Sequence, residues 1–341
     1  MRPATLLSAF LLALATPAAA APPPPARGTV ALTFDDLPEL ALVEDQDYAD
    51  ALTTALLAGL RRHHYPATGF VVGGKLEERV PARQSAILQQ WLDAGMELGN
   101  HTFSHESPRE IGAAAYIADI AHDDAVLRTL LAPRGLKPRW FRHPYLETGT
   151  TAAARRAIDT WLRRHGYRVA PVTIVPSDYE FAEPYDAALA RHDDVHARAL
   201  RRAWLSYLQR SIVWYRQAAH ALFGRDIAHV LLLHATRLNA DTVDDLAAIL
   251  ERNRLKVVPL SRAMRDPAYR TPDTYVGKDG LDWLSRWELT LKKPLPWDEF
   301  REPSARIQAE YARVDKDAET TPLTLEQSAP PAAEEEPAPA P

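Results

Sequence analysis

Two carboxylates stand side by side, Asp35 and Asp36, at the end of the apolar run "VALTFDD". Val30–Phe34 suits a buried strand, and a carboxylate taken out of water costs several kcal/mol unless a partner compensates. Adjacent carboxylates also repel, so something positive must stand near them. His101 and His105 in "GNHTFSHE" lie four residues apart. On a helical turn or tight loop that spacing brings both rings to one side, within reach of one metal ion. Two imidazoles and a carboxylate, with a position left open for water, suit a catalytic zinc or similar divalent ion. One aspartate would then ligate the metal, and the other would stay free as a base. Arg142 in "FRHPY" suits orienting that base. His234 in "LLLHAT" suits protonating a leaving group, and Asp178 in "PSDY" suits holding His234 in its charged form. Together these parts describe metal-assisted hydrolysis of an acyl compound.

One architecture would gather these residues. Seven short apolar runs read as strands: Val30–Phe34, Thr68–Val72, Met96–Gly99, Trp140–Arg142, Arg168–Val175, Ala228–Leu233 and Leu255–Leu260. Periodic segments between them read as helices: Tyr48–Arg62, Ser85–Ala94, Ala113–Leu131, Thr151–His165, Val195–Phe223 and Asp241–Arg252. Strands alternating with helices give a parallel sheet. Seven strands suit a (β/α) barrel, whose chemistry collects at the C-terminal strand ends. Asp35 and Asp36 close the first run. His101 and His105 follow the third, Arg142 and Tyr145 the fourth, and Asp178 the fifth, while His234 ends the sixth. A second such histidine pair, His192 and His196, falls among charges at the start of the long helix and reads as a solvated face. His63, His64, His122, His165, His220 and His229 read as surface or ordinary structural residues.

Taken in this order from about Thr29 to Leu260, the motifs resemble those of the polysaccharide deacetylases, carbohydrate esterase family 4. The resemblance implies a distorted (β/α) barrel. It assigns Asp35 of "TFDD" as the base and Asp36 as a metal ligand, with His101 and His105 of "HTFSH" completing the metal set. "RHPY" stands where the family usually has Arg-Pro-Pro-Tyr. Arg142 would steady the base, the backbone N–H of Tyr145 would help hold the oxyanion, and His143 replaces a proline at the pocket rim. "SDY" stands where the family has Asp-Trp after an earlier Asp. Asp178 matches, Tyr179 replaces the Trp, and Val175 occupies the position of the earlier Asp. "LLLH" makes His234 the acid. His143, Tyr145 and Tyr179 are therefore the substrate-contact candidates. The implied cofactor is one divalent ion: zinc, with cobalt or manganese as alternatives. The implied activity is hydrolysis of a carbon–nitrogen bond other than a peptide bond: metal-bound water removes N-acetyl groups from an envelope or extracellular polysaccharide or oligosaccharide. The alternatives are an O-acetyl esterase on xylan-like glycans and a catalytically dead relative that binds glycans.

Composition sets the remaining bounds. The chain has 341 residues, 46% of them hydrophobic, which is ample for a core. Net charge is −5 and no basic block stands out, so nucleic acid is not an expected partner. Met1-Arg2, the apolar stretch Leu6–Ala15 and "TPAAAAPPPP" read as a secretory signal peptide over residues 1–21 and a Pro-rich linker over 22–28. The apolar stretch is too short to span a bilayer. The chain has no cysteine, which suits an exported protein, periplasmic or secreted, whose core needs no disulfide. The barrel is expected over residues 29–262, followed by an aromatic-rich extension over 263–314. There Leu281, Leu284, Trp287 and Leu291 recur at helical spacing, which favours a helix docked on the barrel over a sugar-binding platform. Residues 315–341 are acidic and rich in Pro and Ala, the composition of a disordered tail. No transmembrane segment and no obligate protein partner are expected.

Overall fold

The computed structural model describes residues 28–315. The expected signal peptide, and all of the expected tail beyond Asp315, lie outside the described residues. Seven strands alternate with helices: β1 Gly28–Leu37, β2 Ala67–Val71, β3 Glu97–Asn100, β4 Trp140–Phe141, β5 Arg168–Val169, β6 Ala228–His234 and β7 Leu255–Val257. All their pairings are parallel, in the order β5-β4-β3-β2-β1-β6, with β7 beside the first residues of β1. A bridge between Ile174 and Leu231 joins the segment after β5 to β6 and closes the ring. The fold is a distorted (β/α) barrel. β1 is its axis: Val30–Leu37 are buried throughout, as expected of a parallel strand covered on both faces.

The expected strand Arg168–Val175 pairs as a strand over only two residues. Its later polar groups are taken elsewhere. The Ala170 carbonyl accepts from Arg142 Nε at 2.9 Å, and the Val172 carbonyl accepts from the Trp283 N–H at 2.8 Å. Side chain and extension replace the sheet neighbour there.

Eleven helices occur among the described residues: α1 Gln46–Arg62, α2 Pro81–Asp93, α3 Pro108–Leu131, α4 Ala152–Arg164, α5 Tyr179–Ala190, α6 Asp194–Phe223, α7 Arg237–Asp241, α8 Val243–Arg252, α9 Leu260–Ala263, α10 Trp283–Leu291 and α11 Ala305–Tyr311. Local chemistry sets several ends. Asp45, Thr151 and Asp193 accept backbone N–H groups at the starts of α1, α4 and α6, and Gly224 closes α6 in the left-handed conformation. Gly112, at φ 76°, separates a first turn of α3 from the helix expected from Ala113. The single helix expected over Asp241–Arg252 is split at Thr242, which leaves α7 and α8. α5 was not expected, because Pro184 stands inside it.

The extension packs on the barrel. Leu284 and Trp287 of α10 are buried, and the Trp287 ring meets Phe223 of α6 edge-on at 5.4 Å. His196 departs from the expected solvated face: its Nε2 lies 3.0 Å from Glu310 Oε2, tying α6 to α11.

Sheet packing leaves no room at Gly99. A Cβ there would lie 2.7 Å from the Phe70 ring and 2.9 Å from the Trp140 carbonyl oxygen. Gly99→Ala is expected to destabilise the fold by about 1–3 kcal/mol. A lowered denaturant midpoint would show it; an unchanged midpoint would mean that β3 can shift without cost.

Candidate metal centre and acid–base pair

A cleft of about 380 Å³ opens at the C-terminal ends of the strands. Eight of the ten expected site residues line it: Asp35, Asp36, His101, His105, His143, Tyr145, Tyr179 and His234. The other two, Arg142 and Asp178, stand directly behind, both fully buried.

Adjacent strand residues ordinarily face opposite sides of a sheet. Here the pairing of β1 with β2 shifts between Phe34 and Leu37, and Asp36 takes a left-handed φ of 64°. That irregularity brings both carboxylates to the cleft. Asp35 lies 3.0 Å from Arg142 Nη1, whose guanidinium also donates to Thr33 Oγ1 at 3.1 Å. The Arg142 group sits 4.6 Å from the Phe70 ring centroid.

Asp36 faces the two histidines. Its Oδ1 lies 3.4 Å from His101 Nε2 and 3.2 Å from His105 Nε2, and one ligand atom from each of the three residues falls within 4.8 Å of the others. This is the one such cluster found among the described residues. Asp36 Oδ1 is buried and accepts no hydrogen bond. Burial raises the Asp36 carboxyl, but His105, Lys75 and His101 outweigh it and hold the group well below the usual carboxylate range. His101 Nδ1 meets the Arg142 carbonyl oxygen at 2.9 Å, which fixes Nδ1 as a donor and directs Nε2 toward Asp36. A buried carboxylate oxygen without a donor, facing two imidazole nitrogens, fits a divalent cation of the zinc type.

His234 lines the same cleft. Asp35 and His234 are paired in register between β1 and β6. Asp178 Oδ1 is 2.7 Å from His234 Nδ1, and its Oδ2 accepts the His234 N–H at 2.7 Å. Asn239, which the sequence did not single out, donates to Asp178 Oδ2 at 2.5 Å and to the His234 carbonyl at 2.9 Å. Burial alone would lower the His234 imidazolium; Asp178, then Asp36 and Asp35, outweigh it and raise the group from 6.5 to about 9.

The walls are aromatic. Tyr179 meets His234 edge-on at 5.7 Å, and behind it stands Tyr311 of α11, with ring centres 5.4 Å apart. Tyr145 is half exposed and meets His105 at 4.7 Å. His143 is only 1% exposed, its ring parallel to Tyr116 and its Nδ1 3.1 Å from the Tyr116 hydroxyl, so it offers a substrate little more than an edge. Glu183, Gly280 and Tyr311 also line the cleft, and none was anticipated. Glu183 belongs to the unexpected α5, and the other two lie in the extension, beyond every motif.

The parallel barrel thus brings a possible Asp–His–His ligand set together with a second carboxylate, Asp35, and the His234–Asp178 pair. Residues 23–170 match the family model described as polysaccharide deacetylase. A peptidoglycan-N-acetylglucosamine deacetylase of Bacillus cereus is 30% identical over 121 residues, covering 36% of this chain and 38% of the relative. A probable peptidoglycan-N-acetylglucosamine deacetylase of Arthroderma benhamiae is 24% identical over 253 residues, 73% of this chain and 48% of the relative. The chain thus spans less than half the length of these curated relatives. Among solved structures, a polysaccharide deacetylase of Bacillus cereus aligns with 68% of this chain and 92% of its own, at 18% identity and a TM-score of 0.48. A family 4 carbohydrate esterase of Streptomyces lividans aligns with 68% and 92%, at 20% identity and a TM-score of 0.45.

The His234–Asp178 pair makes a pH prediction. With the imidazolium raised to about 9, the charged form persists through neutral pH and is lost as pH rises through that value. Asp178→Asn removes the counter-charge, so the alkaline limb of kcat/KM should move down by about 1 unit or more. An unmoved limb would separate Asp178 from the titration of His234.

Proposed function

We propose that the chain is a metal-dependent deacetylase that removes N-acetyl groups from an amino-sugar glycan. One observation carries the reading: the ligand set, the base and the acid converge on a single cleft, with base and acid on paired strands. Asp36, His101 and His105 would hold a divalent ion (zinc, with cobalt or manganese as alternatives), which when bound would supply Lewis-acid chemistry and lower the pKa of a water.

The chain's own groups do the rest. Asp35 takes the proton from the attacking water, and Arg142 orients Asp35 and balances its charge in burial. The water oxygen adds to the acetyl carbon, and the backbone N–H of Tyr145 donates to the oxygen that becomes negative. His234 gives its proton to the sugar nitrogen, the carbon–nitrogen bond breaks, and acetate and a free amine leave. An amide nitrogen must be protonated to depart, and a histidine kept charged by Asp178 suits that task better than an ester's easier departure requires. This favours N-acetyl over O-acetyl substrates. Tyr179 and the edge of His143 wall the bound sugar.

The Bacillus cereus relative is a peptidoglycan-N-acetylglucosamine deacetylase, which makes peptidoglycan the first glycan to test. We place the protein outside the cytoplasm on its leading residues. No helix among the described residues is long and apolar enough to cross a membrane.

The two aspartates should fail differently. Asp36→Asn removes an anionic ligand, so metal affinity should fall about 10-fold or more, with partial rescue by excess metal. Asp35→Asn keeps the ligands and loses the base, a loss of about 10²–10⁴ in rate that added metal does not restore. Metal content and acetate release from peptidoglycan, chitin oligosaccharides and acetylated xylan check both. Metal lost from Asp35→Asn but kept by Asp36→Asn would reverse the roles. No acetate from any substrate by the metal-loaded parent would overturn the deacetylase reading.

A further inference from the structure

The turn that carries Tyr145 is built against the grain of the backbone. Tyr145 and Leu146 take left-handed φ values of 53° and 57° in succession, and neither is glycine. Each such residue costs of order 1–3 kcal/mol and persists only where its surroundings over-determine it. The barrel ties the turn at several points: the Leu146 N–H donates to the His143 carbonyl and the Glu147 N–H to the Pro144 carbonyl, both at 3.0 Å, Ser107 and Arg109 hold the Glu147 carboxylate, and the Tyr145 ring meets His105.

The ties to the Leu146 carbonyl and to Thr148 come from outside the barrel. Arg286 of α10 is completely buried. Its Nη2 donates to the Leu146 carbonyl at 2.6 Å, and its Nη1 to Thr148 Oγ1 at 3.0 Å. The guanidinium is itself fixed by the Leu281 carbonyl at 2.8 Å, Asp273 Oδ2 at 3.1 Å and the faces of Trp283 and Tyr275 at 4.6 and 5.1 Å. Asp273 also binds Arg155 of α4 at 2.7 Å, which anchors the whole assembly to the barrel. A second contact is independent of Arg286. Gly280 lies directly on the Tyr145 peptide: a Cβ at 280 would overlap the Tyr145 carbonyl oxygen and sit 2.8 Å from its carbon.

We propose that Arg286 and Gly280 of the C-terminal extension are positioning residues that lock the 145–148 turn and thereby aim the Tyr145 N–H at the reacting acetyl group. The inference rests on the deacetylase reading for the role of that N–H; the lock itself does not. Arg286 touches neither the metal ligands nor His234, so its loss should act on the oxyanion donor alone.

Arg286→Met should lower kcat about 10²-fold, the scale for losing or misplacing one oxyanion donor. KM should change little, bound zinc should stay at the parental level, and both limbs of the pH profile should stay in place. Arg286→Lys, which keeps one donor, should recover part of the rate. Gly280→Ala should lower kcat in the same way without removing any charge. Amide exchange followed by mass spectrometry supplies a readout independent of activity. Exchange in the 144–148 segment should speed up in Arg286→Met and Gly280→Ala, while the 97–105 segment stays protected. Unchanged exchange at 144–148 in both variants would overturn the lock. So would kcat held with KM raised, which marks a substrate wall, or zinc lost together with activity, which marks general collapse. A parent that releases no acetate would defeat the deacetylase reading, and exchange would still decide the lock.

Discussion

A single buried guanidinium holds the site together. Arg142 is fully buried, and a charge so placed must be met on every side. Asp35 meets it from β1, the Ala170 carbonyl from beyond β5 and the Phe70 ring from β2. Its own backbone carbonyl fixes the tautomer of His101 beyond β3. Asp35, the proposed base, and His101, a candidate metal ligand, are therefore oriented by the two ends of one residue. Breaking a buried pair of this kind costs about 3–5 kcal/mol, because the partner charge is left stranded. Stability and the proposed catalysis draw on the same contact.

The adjacent aspartates make sense in this light. A regular strand would have sent them to opposite faces, one into the core. The left-handed Asp36 and the shifted register beside β2 turn both toward the cleft, at a backbone cost of about 1–2 kcal/mol. Arg142 then compensates Asp35. Asp36 faces two imidazoles, with the Lys75 charge nearby, and has no hydrogen-bond donor at Oδ1, which is the arrangement a cation would complete. The puzzle posed by "FDD" is answered by dividing the positive charge between a fixed side chain and a ligand set.

The part of the site that the sequence disclosed is the part carried on strand ends. Asp35, His101, Arg142 and His234 each close or follow an apolar run, so hydrophobic pattern and polar residue could be read together. Asn239 could not be, since its role depends on α7 folding back so that its side chain reaches Asp178. Glu183 was hidden because Pro184 argued against α5. Gly280 and Tyr311 were hidden for a different reason. They reach the cleft only through the packing of α10 and α11, and tertiary packing leaves no local pattern at the residues it brings together. The extension's helical spacing showed a helix at Leu284 and Trp287, but not what that helix would hold.

That packing follows from an asymmetry in the barrel. β1, β2 and β6 are deeply buried, and β1 and β6 carry Asp35, Asp36 and His234. β4 and β5 pair over only two residues each, and the residues after β5 give their carbonyls to Arg142 and to the extension. This weak side is where the 145–148 turn must hold two unfavourable backbone conformations. A short strand has few ladder bonds with which to impose them. The sheet cannot supply the missing constraint, so it comes from sequence beyond the barrel: Trp283 takes the open carbonyl of Val172, Arg286 takes that of Leu146, and Gly280 seats against Tyr145. The extension therefore stands where a longer β4–β5 pair would otherwise have been needed, and the cleft depends on it for the wall that the barrel does not provide.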